Sequence, residues 1–368
     1  MREPLAQLVD RKLGRRRILI TGHSGFVGSW LSLWLHRSGA ELVGCSLARP
    51  IDIGPMPQID GIVESHELDI RDAASLERLV AQTQPEVIFH LAAQPLVIAS
   101  LSDPLGTLLS NVMGTAHLLE AARKVSTVRA VVVVTSDKCY ATSRQPHVEG
   151  DPLGGDDPYS ASKAAAEMVA HAYRHSYFAQ LGIGVATARA GNILGGGDWA
   201  TDRLIPDCAR ALQSGVPVIL RHPDAIRPWQ HVLDAVSGYV QLAAALLDDP
   251  TQFAAPWNFG PPPEASLTVG KVVGMLVEKW QAAGTSFPDP ITDTDRHVPE
   301  RDRLELVSDR ATTALGWSQL LSADEVIDWT ADWYRLAIHG QSDPTELTTS
   351  QISQYLDKSV EALAPSHL

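Results

Sequence analysis

Cysteine is scarce in this sequence, with only three residues among 368. Cys45, Cys139 and Cys208 lie far apart in the chain, so no two of them have the close spacing of a metal-binding motif. Three widely spaced cysteines also exclude the disulfide framework that stabilises small secreted domains. We therefore expect buried, reduced thiols in a cytoplasmic protein, and no metal site.

Long apolar runs are absent as well. No stretch approaches the roughly 20 apolar residues that a transmembrane helix needs, which argues against a membrane-spanning protein. Arginines at 15–17 stand where a twin-arginine export signal would have them, but only a few apolar residues follow before a glycine motif begins. We expect neither export nor a membrane partner.

A sustained basic stripe is also missing. The formal net charge is −13 at pH 7, which argues against nucleic acid as a partner. An acidic protein that binds an anionic ligand must gather arginines locally, so a local cluster of arginines would indicate such a ligand. Hydrophobic residues make up 45% of the chain and charged residues 20%, which is typical of a soluble globular protein with a sizeable core.

A glycine turn follows the first predicted strand. Residues 17–21 have the pattern of a buried strand, and Gly22, Gly25 and Gly28 follow at once, before a helix predicted over 29–37. The spacing is not the G-x-G-x-x-G of the usual dinucleotide motif, but the physical role is shared. Glycines permit a tight turn and a close approach of backbone to a pyrophosphate, and the helix N-terminus faces the negative charge. This arrangement predicts a nucleotide site.

The end of the second predicted strand, over 41–47, bears on the choice of cofactor. A ribose-binding acid is expected about 20 residues after the glycine motif, yet the chain has Arg49 there. An arginine at this place can favour the 2′-phosphate of NADP, so the sequence leaves NAD and NADP open. A third strand is predicted over 66–72, and its Asp69 and Ile70 are expected near the adenine.

Strands and helices alternate through the first half of the chain. Further strands are predicted over 86–94 and 131–134, and helices over 73–82 and 105–124. This alternation predicts an α/β fold, a Rossmann-type doubly wound parallel sheet, in which ligands bind beyond the carboxyl ends of the strands. The residues that we expect at this edge are Ala92, Gln94, Thr135, Asp137 and Lys138.

A tyrosine and a lysine lie at the start of the predicted helix that follows the strand over 131–134 and a polar loop. Tyr159 and Lys163 are four residues apart, so their side chains share one face of the helix. An ammonium group beside a phenol stabilises the phenolate and can lower the tyrosine pKa from its usual value of about 10. Such a tyrosine can take a proton from a sugar hydroxyl while hydride leaves the same carbon.

The second half of the chain supplies candidate substrate contacts. After a strand predicted over 184–190 come glycines at 191 and 195–197, which indicate that backbone approaches a ligand. Arginines gather in the same region, and guanidinium groups suit a diphosphate. The residues that we expect to contact substrate are Gln94, Asn192, Arg203, Leu204, Arg221, Arg227, Gln230 and Glu300.

These elements divide the chain into four parts. Residues 1–16 are expected to be a polar extension with about one helical turn. A nucleotide-binding domain is predicted over 17–190, and segments around 228–260 return to it. A smaller mixed α/β substrate lobe follows, mainly over 191–338, and residues 339–368 form a peripheral tail, either helical or disordered.

Seven segments together resemble the extended short-chain dehydrogenase/reductase superfamily, and within it most closely the CDP-glucose 4,6-dehydratases. They are residues 28–35, 90–97, 111–115, 135–140, 157–163, 190–199 and 226–233. The resemblance implies an NAD-dependent lyase that turns a nucleotide sugar, CDP-glucose, into its 4-keto-6-deoxy product. It also implies a homodimer or a higher homo-oligomer, in which helices around 105–124 and 159–180 pair between subunits.

The resemblance further assigns a role to each residue of the predicted site. It implies that Tyr159 is the base at the C4 hydroxyl, that Lys163 tunes it and holds the nicotinamide ribose, and that Thr135 forms a hydrogen bond near C4. It implies that Asp137 protonates the departing C6 hydroxyl and that Lys138 acts on the C5 proton, whereas most sugar-nucleotide 4,6-dehydratases have an Asp-Glu pair there. The cofactor residues are Gly22, Ser24, Gly25, Phe26, Val27, Gly28, Arg49, Asp69, Ile70, Leu91, Ala92, Ala93, Tyr159 and Lys163.

Two features depart from the family's pattern. Val27 stands where the family often has a lysine, and the loop over 141–149 is shorter than the family's and lacks its aromatic residues. The alternatives are an epimerase, dehydrogenase or reductase that acts on another nucleotide sugar, or a catalytically silent nucleotide-binding or scaffold protein. Asp137 and Lys138 favour the dehydratase, because plain C4 epimerisation needs no acid at C6.

Overall fold

The computed structural model describes residues 3–49, 54–143, 146–262, 265–293 and 304–363. Its strands are β1 (Arg17–Thr21), β2 (Glu41–Ser46), β3 (Glu64–Glu67), β4 (Val87–His90), β5 (Ala130–Val134), β6 (Gly184–Ala190), β7 (Ile193–Leu194), β8 (Ile219–Leu220), β9 (Ile226–Arg227), β10 (Gln230–His231), β11 (Pro256–Phe259), β12 (Leu267–Thr268) and β13 (Ile291–Thr292). Its α-helices are α1 (Leu5–Leu13), α2 (Phe26–Arg37), α3 (Ala73–Thr83), α4 (Val97–Ser102), α5 (Pro104–Leu108), α6 (Gly114–Ala122), α7 (Pro158–Tyr173), α8 (Ala179–Leu181), α9 (Leu204–Ser214), α10 (Val232–Asp248), α11 (Val269–Ala282), α12 (Ala323–Ile338) and α13 (Pro344–Glu361).

Seven strands form one parallel sheet, in the order β11-β6-β5-β4-β1-β2-β3. From β1 the chain winds through β2 to β3 at one edge, and from β4 it winds through β5 and β6 to β11 at the other. The direction of winding therefore reverses between β1 and β4, which leaves a crevice at the carboxyl ends of these two strands. This order confirms the predicted doubly wound α/β fold.

Helices cover both faces of the sheet, and β1 shows why the sequence requires this. Ile18 and Ile20 point to one face, where they join the core that contains α2 and α10, while Leu19 points to the other and packs with α3 and α6. Successive side chains of a strand alternate between faces, so a continuous apolar run must be covered on both. Each such buried side chain contributes roughly 1.5–3 kcal/mol to stability.

The N-terminal segment is more helical than predicted, and the C-terminal segment adopts the helical one of its two predicted forms. α1 is a helix of nine residues rather than a single turn, and its Val9 and Leu13 are fully buried. α13 brings Ile352 and Tyr355 into the same core. Apolar residues three and four apart in each segment form one buried helix face, so both termini pack on the domain. The domain boundaries at 16, 190 and 338 stay a prediction.

The helix predicted over 105–124 is interrupted by a π-helical turn, Leu109–Met113, which separates α5 from α6. Inside this turn the buried Asn111 accepts a hydrogen bond from the backbone N–H of Gln94 at 2.7 Å and donates one to Ser162 Oγ at 2.8 Å. The turn thus ties the loop after β4 to α7, which carries the predicted catalytic pair. Such π-bulges are frequent at functional sites.

A smaller mixed lobe lies at the carboxyl edge of the sheet. It is built from short strand pairs, in which β7 lies parallel to β10, β8 parallel to β13, and β9 antiparallel to β12. α11 packs against α9 and α12, and the lobe is the mixed α/β unit that the sequence predicts. Across the described ranges, no helix combines the length and the apolar character needed to cross a membrane.

Candidate active site

A cleft of about 1050 Å³ opens at the carboxyl edge of the sheet, between the sheet and the smaller lobe. Leu91 after β4, Thr135 after β5, Gly191 after β6 and Phe26 at the start of α2 all line it. The cleft therefore lies where doubly wound sheets bind their ligands. Its volume is at the upper end of the range for small-molecule sites, as a dinucleotide and a sugar nucleotide together require.

The glycine turn between β1 and α2 has the geometry of a phosphate cradle. Gly22 has φ +77°, and a Cβ there would lie 2.8 Å from the backbone nitrogen of Ala92; a Cβ on Gly28 would lie 2.1 Å from the carbonyl oxygen of Gly22. Both positions thus require glycine. α2 begins at Phe26, earlier than predicted, and its N-cap Gly25 provides no side-chain cap, so the first N–H groups of the helix remain available to an anion.

Arg49 lies beside this turn, as expected for a residue near the adenosine ribose. Its Nε donates to the carbonyl oxygen of Ser24 at 2.9 Å and its Nη1 to that of Pro57 at 3.4 Å. Burial lowers the pKa of the Arg49 guanidinium, and the charge of Asp60 opposes this. Two of the three guanidinium nitrogens of Arg49 therefore already donate hydrogen bonds to neighbouring backbone carbonyls.

Asp69 and Ile70 follow the end of β3, and their place near the adenine stays a prediction. β3 ends at Glu67, and the Asp69 carboxylate forms an ion pair with Arg71 at 2.5 Å, which is the main reason that the pKa of Asp69 is lowered. The side chain of Ile70 is buried against Gly114. Neither side chain lines the cleft, because one is held by a neighbouring cation and the other belongs to the core.

The remaining predicted cofactor residues fall into two groups. Gly22, Ser24, Gly25, Gly28 and Ala92 surround the turn at the crevice between β1 and β4. The residues on the cleft wall are Phe26, Val27, Leu91, Ala93, Tyr159 and Lys163. The glycine turn and the catalytic pair thus lie on the same carboxyl edge of the sheet, with Phe26, Val27 and Leu91 on the cleft wall between them in the predicted cofactor site.

All five predicted catalytic residues line the same cleft. Thr135 follows the last residue of β5, Asp137 and Lys138 lie in a 3₁₀ turn directly after it, and Tyr159 and Lys163 lie in the first turns of α7. α7 begins cleanly because Asp157 accepts a hydrogen bond from the Ser160 N–H and Pro158 occupies the first helical position. Strand end and capped helix together fix the catalytic side chains.

The expected effect of Lys163 on Tyr159 is absent from this structure. Burial raises the pKa of Tyr159 to about 12, although a hydrogen bond with Ser136 and the positive charge of Arg203 act in the opposite direction. The Lys163 ammonium instead donates to the carbonyl oxygen of Val134 at 3.3 Å, and burial lowers its own pKa to about 8. The prediction of a lowered tyrosine pKa is thus wrong for the unliganded protein, since desolvation exceeds the electrostatic effect.

Asp137 has the environment of a general acid. Its side chain is buried, one oxygen accepts a hydrogen bond from Ser136 Oγ at 2.9 Å, and the other has no partner among the described residues. Burial raises the pKa of Asp137, and the charges of Lys138 and Arg227 oppose the rise. A carboxyl group of this kind holds its proton more strongly than an exposed aspartate.

The arginines predicted to contact substrate lie along the opposite wall of the cleft. Arg203 pairs with Asp198 at 3.0 Å and Arg221 with Asp202 at 3.5 Å. Arg227 is buried, and its Nη1 donates to the carbonyl oxygen of Ile226 at 2.7 Å. Asn192 and Leu204 also line the cleft. The structure thus brings three arginines to the cleft, and two of them are paired with aspartates.

Two predicted substrate residues do not line the cleft. The side-chain amide of Gln94 donates to the carbonyl oxygen of Leu96 and to Thr107 Oγ1, and its oxygen accepts from the Leu96 N–H, so its polar atoms are used within its own loop. Gln230 is fully buried and donates to the carbonyl oxygen of Phe259 at 2.8 Å. Both amides form hydrogen bonds within the protein, and their contact with substrate stays a prediction. Glu300 lies outside the described residues.

A buried pair beneath the cleft was not predicted. Glu167 lies four residues after Lys163 on α7, and its carboxylate is 2.7 Å from Nη2 of Arg189 on β6. The spacing of Tyr159, Lys163 and Glu167, each four apart on one helix face, is the signal that would have pointed to it. Within the described part of the chain, no cluster of His, Cys, Asp and Glu could hold a metal ion.

Comparisons with known proteins agree with this geometry. Residues 19–330 match the family model for GDP-mannose 4,6 dehydratase. Over 359 residues the chain is 41% identical to a CDP-glucose 4,6-dehydratase from Salmonella typhimurium, a match that covers 95% of this chain and 99% of that protein. The similarity thus extends over nearly the full length of both proteins.

Solved structures give the same fold. The dTDP-glucose 4,6-dehydratase DesIV from Streptomyces venezuelae, solved with NAD bound, superimposes with a TM-score of 0.73 at 26% identity, over 89% of this chain and 99% of its own. MoeE5, solved with UDP-glucuronic acid and NAD, has a TM-score of 0.74 at 26% identity, over 87% and 99% of the two chains. The similarity includes the sheet and the smaller lobe.

Proposed function

This chain belongs to the GDP-mannose 4,6 dehydratase family, and we propose that it is a CDP-glucose 4,6-dehydratase that uses NAD to make CDP-4-keto-6-deoxyglucose. The observation that carries the proposal is that Tyr159, Asp137 and Lys138 line one cleft. A base for C4 and an acid–base pair for C5 and C6 are what water elimination requires. The full-length similarity to the Salmonella enzyme supports CDP-glucose as the substrate.

The proposed reaction divides its proton transfers among residues on the cleft wall. NAD, when bound, accepts a hydride from C4 of the sugar and returns it at C6. Tyr159 takes the proton of the C4 hydroxyl, and the resulting ketone acidifies the hydrogen at C5, which Lys138 removes. Asp137 protonates the C6 hydroxyl, which leaves as water, and a proton returns to C5. The net change is the loss of one water, and each acid–base step contributes about 10²–10⁴ in rate.

The acid and the base of the elimination step differ in their surroundings. Asp137 is buried, and the rise in its pKa favours the protonated form that an acid needs. Lys138 is partly exposed and lines the cleft, so its amine can reach the sugar. Two groups whose environments differ in this way suit opposite roles in one reaction.

We assign the cofactor to the path from the glycine turn to α7. The turn at Gly22 and the uncapped N-terminus of α2 would hold the pyrophosphate, and Tyr159 and Lys163 would face the nicotinamide ribose. Arg49 leaves the choice between the two cofactors open, because two of its nitrogens donate to backbone carbonyls while its buried Nη2 has no hydrogen-bond partner among the described residues. The similar structures solved with NAD bound support NAD as the cofactor.

The diphosphate of the substrate is assigned to the arginines of the opposite wall. Arg227 is buried near Asp137, while Arg203 and Arg221 each lie beside an aspartate. These side chains supply donors in a fork geometry that matches phosphate oxygens. Asn192, on the loop after β6, adds an amide to the same region of the cleft.

An exposed apolar surface supports a homodimer. Large apolar side chains on α4 to α6 and on the long helix that begins with α7 remain open to solvent, and we name this surface the α5–α7 face. Its residues are Leu101, Leu105, Leu108, Leu109, Met113, Met168, Tyr177 and Leu181, with Leu105 72% exposed. Exposed apolar side chains gathered on neighbouring helices are typical of an interaction site, and a second copy of this chain is the proposed partner. The three buried free cysteines suit the cytoplasm.

The proposal is tested by incubating the purified protein and NAD with CDP-glucose, dTDP-glucose, UDP-glucose and GDP-glucose in separate reactions. Mass spectrometry of each nucleotide sugar should show the loss of one water with CDP-glucose, faster than with the others. An unchanged mass together with a changed sugar configuration by NMR would indicate an epimerase. No reaction with any of the four substrates would contradict a dehydratase of glucose nucleotides.

A further inference from the structure

A buried hydroxyl group at the cleft wall has no part in the proposed reaction. Tyr239 lies on α10 with 0% of its surface exposed, and it lines the cleft. Its ring packs edge-on against Phe259, with the two ring centroids 6.0 Å apart. The hydroxyl group has no hydrogen-bond partner among the residues that the structure describes. Burying a hydroxyl group without a partner lowers stability, so this group calls for an explanation.

The helix brings this side chain to the carboxyl edge of the sheet. α10 begins at Val232, directly after β10, and β10 pairs with β7 on the cleft wall. Long side chains of a helix point back toward its N-terminus, so Tyr239, about two turns into α10, reaches back toward the cleft. α10 packs on β5 and β6, and the last residues of these strands, Val134 and Ala190, also line the cleft. Tyr239 thus lies at the ends of β5 and β6.

The order of the strands shows which end of the cofactor reaches this place. The glycine turn follows β1, with β2 on one side of it and β4, β5 and β6 in that order on the other. Arg49, near the expected adenosine ribose, follows β2. A dinucleotide whose pyrophosphate lies at the turn therefore extends its nicotinamide end toward β5 and β6. This is the side on which Tyr159 and Lys163 line the cleft, and Tyr239 lies there too.

The surroundings of Tyr239 suit a flat aromatic ring with one polar substituent. Phe26, Val134 and Ala190 line the cleft and pack in the same apolar core as the tyrosine ring. A nicotinamide ring offers apolar faces to such a wall, and its carboxamide oxygen is an acceptor. Burial raises the pKa of Tyr239, and the nearby phenol of Tyr159 adds to the rise. The hydroxyl group therefore keeps its proton and acts as a donor.

We propose that Tyr239 positions the nicotinamide ring by donating a hydrogen bond to the oxygen of its carboxamide group. A ring held by apolar contacts alone can turn about its bond to the ribose, which exchanges the face that it presents to the sugar. The carboxamide lies on one side of the ring, so a hydrogen bond to it selects one of the two orientations. Tyr239 is thus a positioning residue for hydride transfer. This inference rests on the proposed function, in which the nicotinamide lies beside Tyr159 and Lys163.

The test compares the binding of NAD with that of ADP-ribose, which lacks the nicotinamide ring. Calorimetry is done on the wild type and on Tyr239→Phe, each freed of bound nucleotide. Phenylalanine keeps the aromatic ring and its packing against Phe259 and removes only the hydroxyl group. We expect Tyr239→Phe to bind NAD about fivefold more weakly, the usual effect of one hydrogen bond, and to bind ADP-ribose as the wild type does. Equal NAD affinities in the two proteins would overturn the inference, and so would an equal weakening of both ligands.

A second measurement uses the unliganded protein. Because the Tyr239 hydroxyl has no partner across the described ranges, Tyr239→Phe should unfold at the same urea concentration as the wild type or at a higher one. Tyr355→Phe is the matched control, because its buried hydroxyl group donates to Asp234 Oδ1 at 2.9 Å. The control should unfold at a lower urea concentration and keep the wild-type affinity for NAD. Earlier unfolding of Tyr239→Phe would show that its hydroxyl group is already bonded within the protein, and would overturn the inference.

A third ligand tests the direction of the hydrogen bond. 3-Acetylpyridine adenine dinucleotide keeps the carbonyl oxygen of the carboxamide but has a methyl group in place of the amide nitrogen. Tyr239→Phe should therefore weaken its binding by the same factor as that of NAD. Weakening with NAD alone would show that the hydroxyl group accepts from the amide nitrogen, which contradicts its role as a donor. If the wild type binds neither NAD nor ADP-ribose, the cofactor site of the proposed function is contradicted instead.

Discussion

The ammonium group of Lys163 lies 3.3 Å from the carbonyl oxygen of Val134, the last residue of β5. The strand end thus holds the lysine, although its sequence spacing suggested a partner on its own helix. Burial lowers the pKa of Lys163 to about 8, so part of the population is neutral near that pH. The Lys163 ammonium group is thus directed at the end of β5 rather than at Tyr159.

It follows that Tyr159 should remain protonated in the unliganded protein well above the pH of about 10 at which a free tyrosine ionises, because burial raises its pKa to about 12. The measurement is an ultraviolet pH titration of the wild type minus that of Tyr159→Phe. The difference should show no phenolate below about pH 10. A phenolate signal near neutral pH would show that a nearby cation acts on the tyrosine after all.

Tyr159→Phe should lower turnover by about 10²–10⁴, the usual contribution of a general base. The aromatic ring and its packing are retained, so circular dichroism and the affinity for NAD should stay close to those of the wild type. Product formation is followed by mass spectrometry with CDP-glucose. Turnover within a few-fold of the wild type would remove Tyr159 from the catalytic role.

Asp137→Asn should separate the two halves of the reaction. Asparagine keeps the size of the side chain but has no proton to give to the C6 hydroxyl, so oxidation at C4 should proceed while elimination of water slows by about 10²–10⁴. Reduced nicotinamide should then accumulate in a stopped-flow absorbance trace. Lys138→Ala should accumulate it as well, because the C5 proton stays in place. Normal product formation by either variant would assign that residue a structural role.

The fold was predictable because its signals are local: a buried strand, a glycine turn and an amphipathic helix, repeated with alternating periodicity. The site was predictable wherever the carboxyl end of a strand determines position, as at Thr135 and Asp137. The internal hydrogen bonds of Gln94 and Gln230 were not predictable, because a side-chain amide finds a partner in the protein as easily as in a ligand, and spacing does not reveal which. Glu167 was missed because its partners, on β5 and β6, are distant in the sequence.

The α5–α7 face should hold two copies of the chain together. Leu105→Glu places a charge at its most exposed apolar residue, and desolvation of that charge in an interface is costly, so the variant should elute as a monomer. Light scattering coupled to gel filtration gives the mass. Leu47→Glu is the control, because Leu47 is 62% exposed and follows β2, away from that face. A wild-type monomer would contradict the dimer.

Asp234 ties the C-terminal helix to the domain. It lies on α10, fully buried, and its Oδ1 accepts hydrogen bonds from the Leu320 N–H at 2.8 Å and the Tyr355 hydroxyl at 2.9 Å. Tyr355 belongs to α13. Burial raises the pKa of Asp234 to about 7, although these hydrogen bonds oppose the rise.

The direction of the resulting pH dependence follows from this raised pKa. In the unfolded chain an aspartate has a pKa of about 3.9, so between pH 4 and 7 the folded protein binds the Asp234 proton more tightly than the unfolded chain does. The contribution of this proton to stability is therefore complete below about pH 4 and is lost as the pH rises through about 7. Asp234→Asn cannot ionise and should abolish this decline, with a relative gain on the order of 4 kcal/mol at pH 8 compared with pH 4. Urea unfolding at several pH values measures it. Asp357 lies on the exposed side of α13, so the control Asp357→Asn should leave the decline in stability intact. An equal pH dependence in the wild type and in Asp234→Asn would show that Asp234 is already ionised in the folded protein.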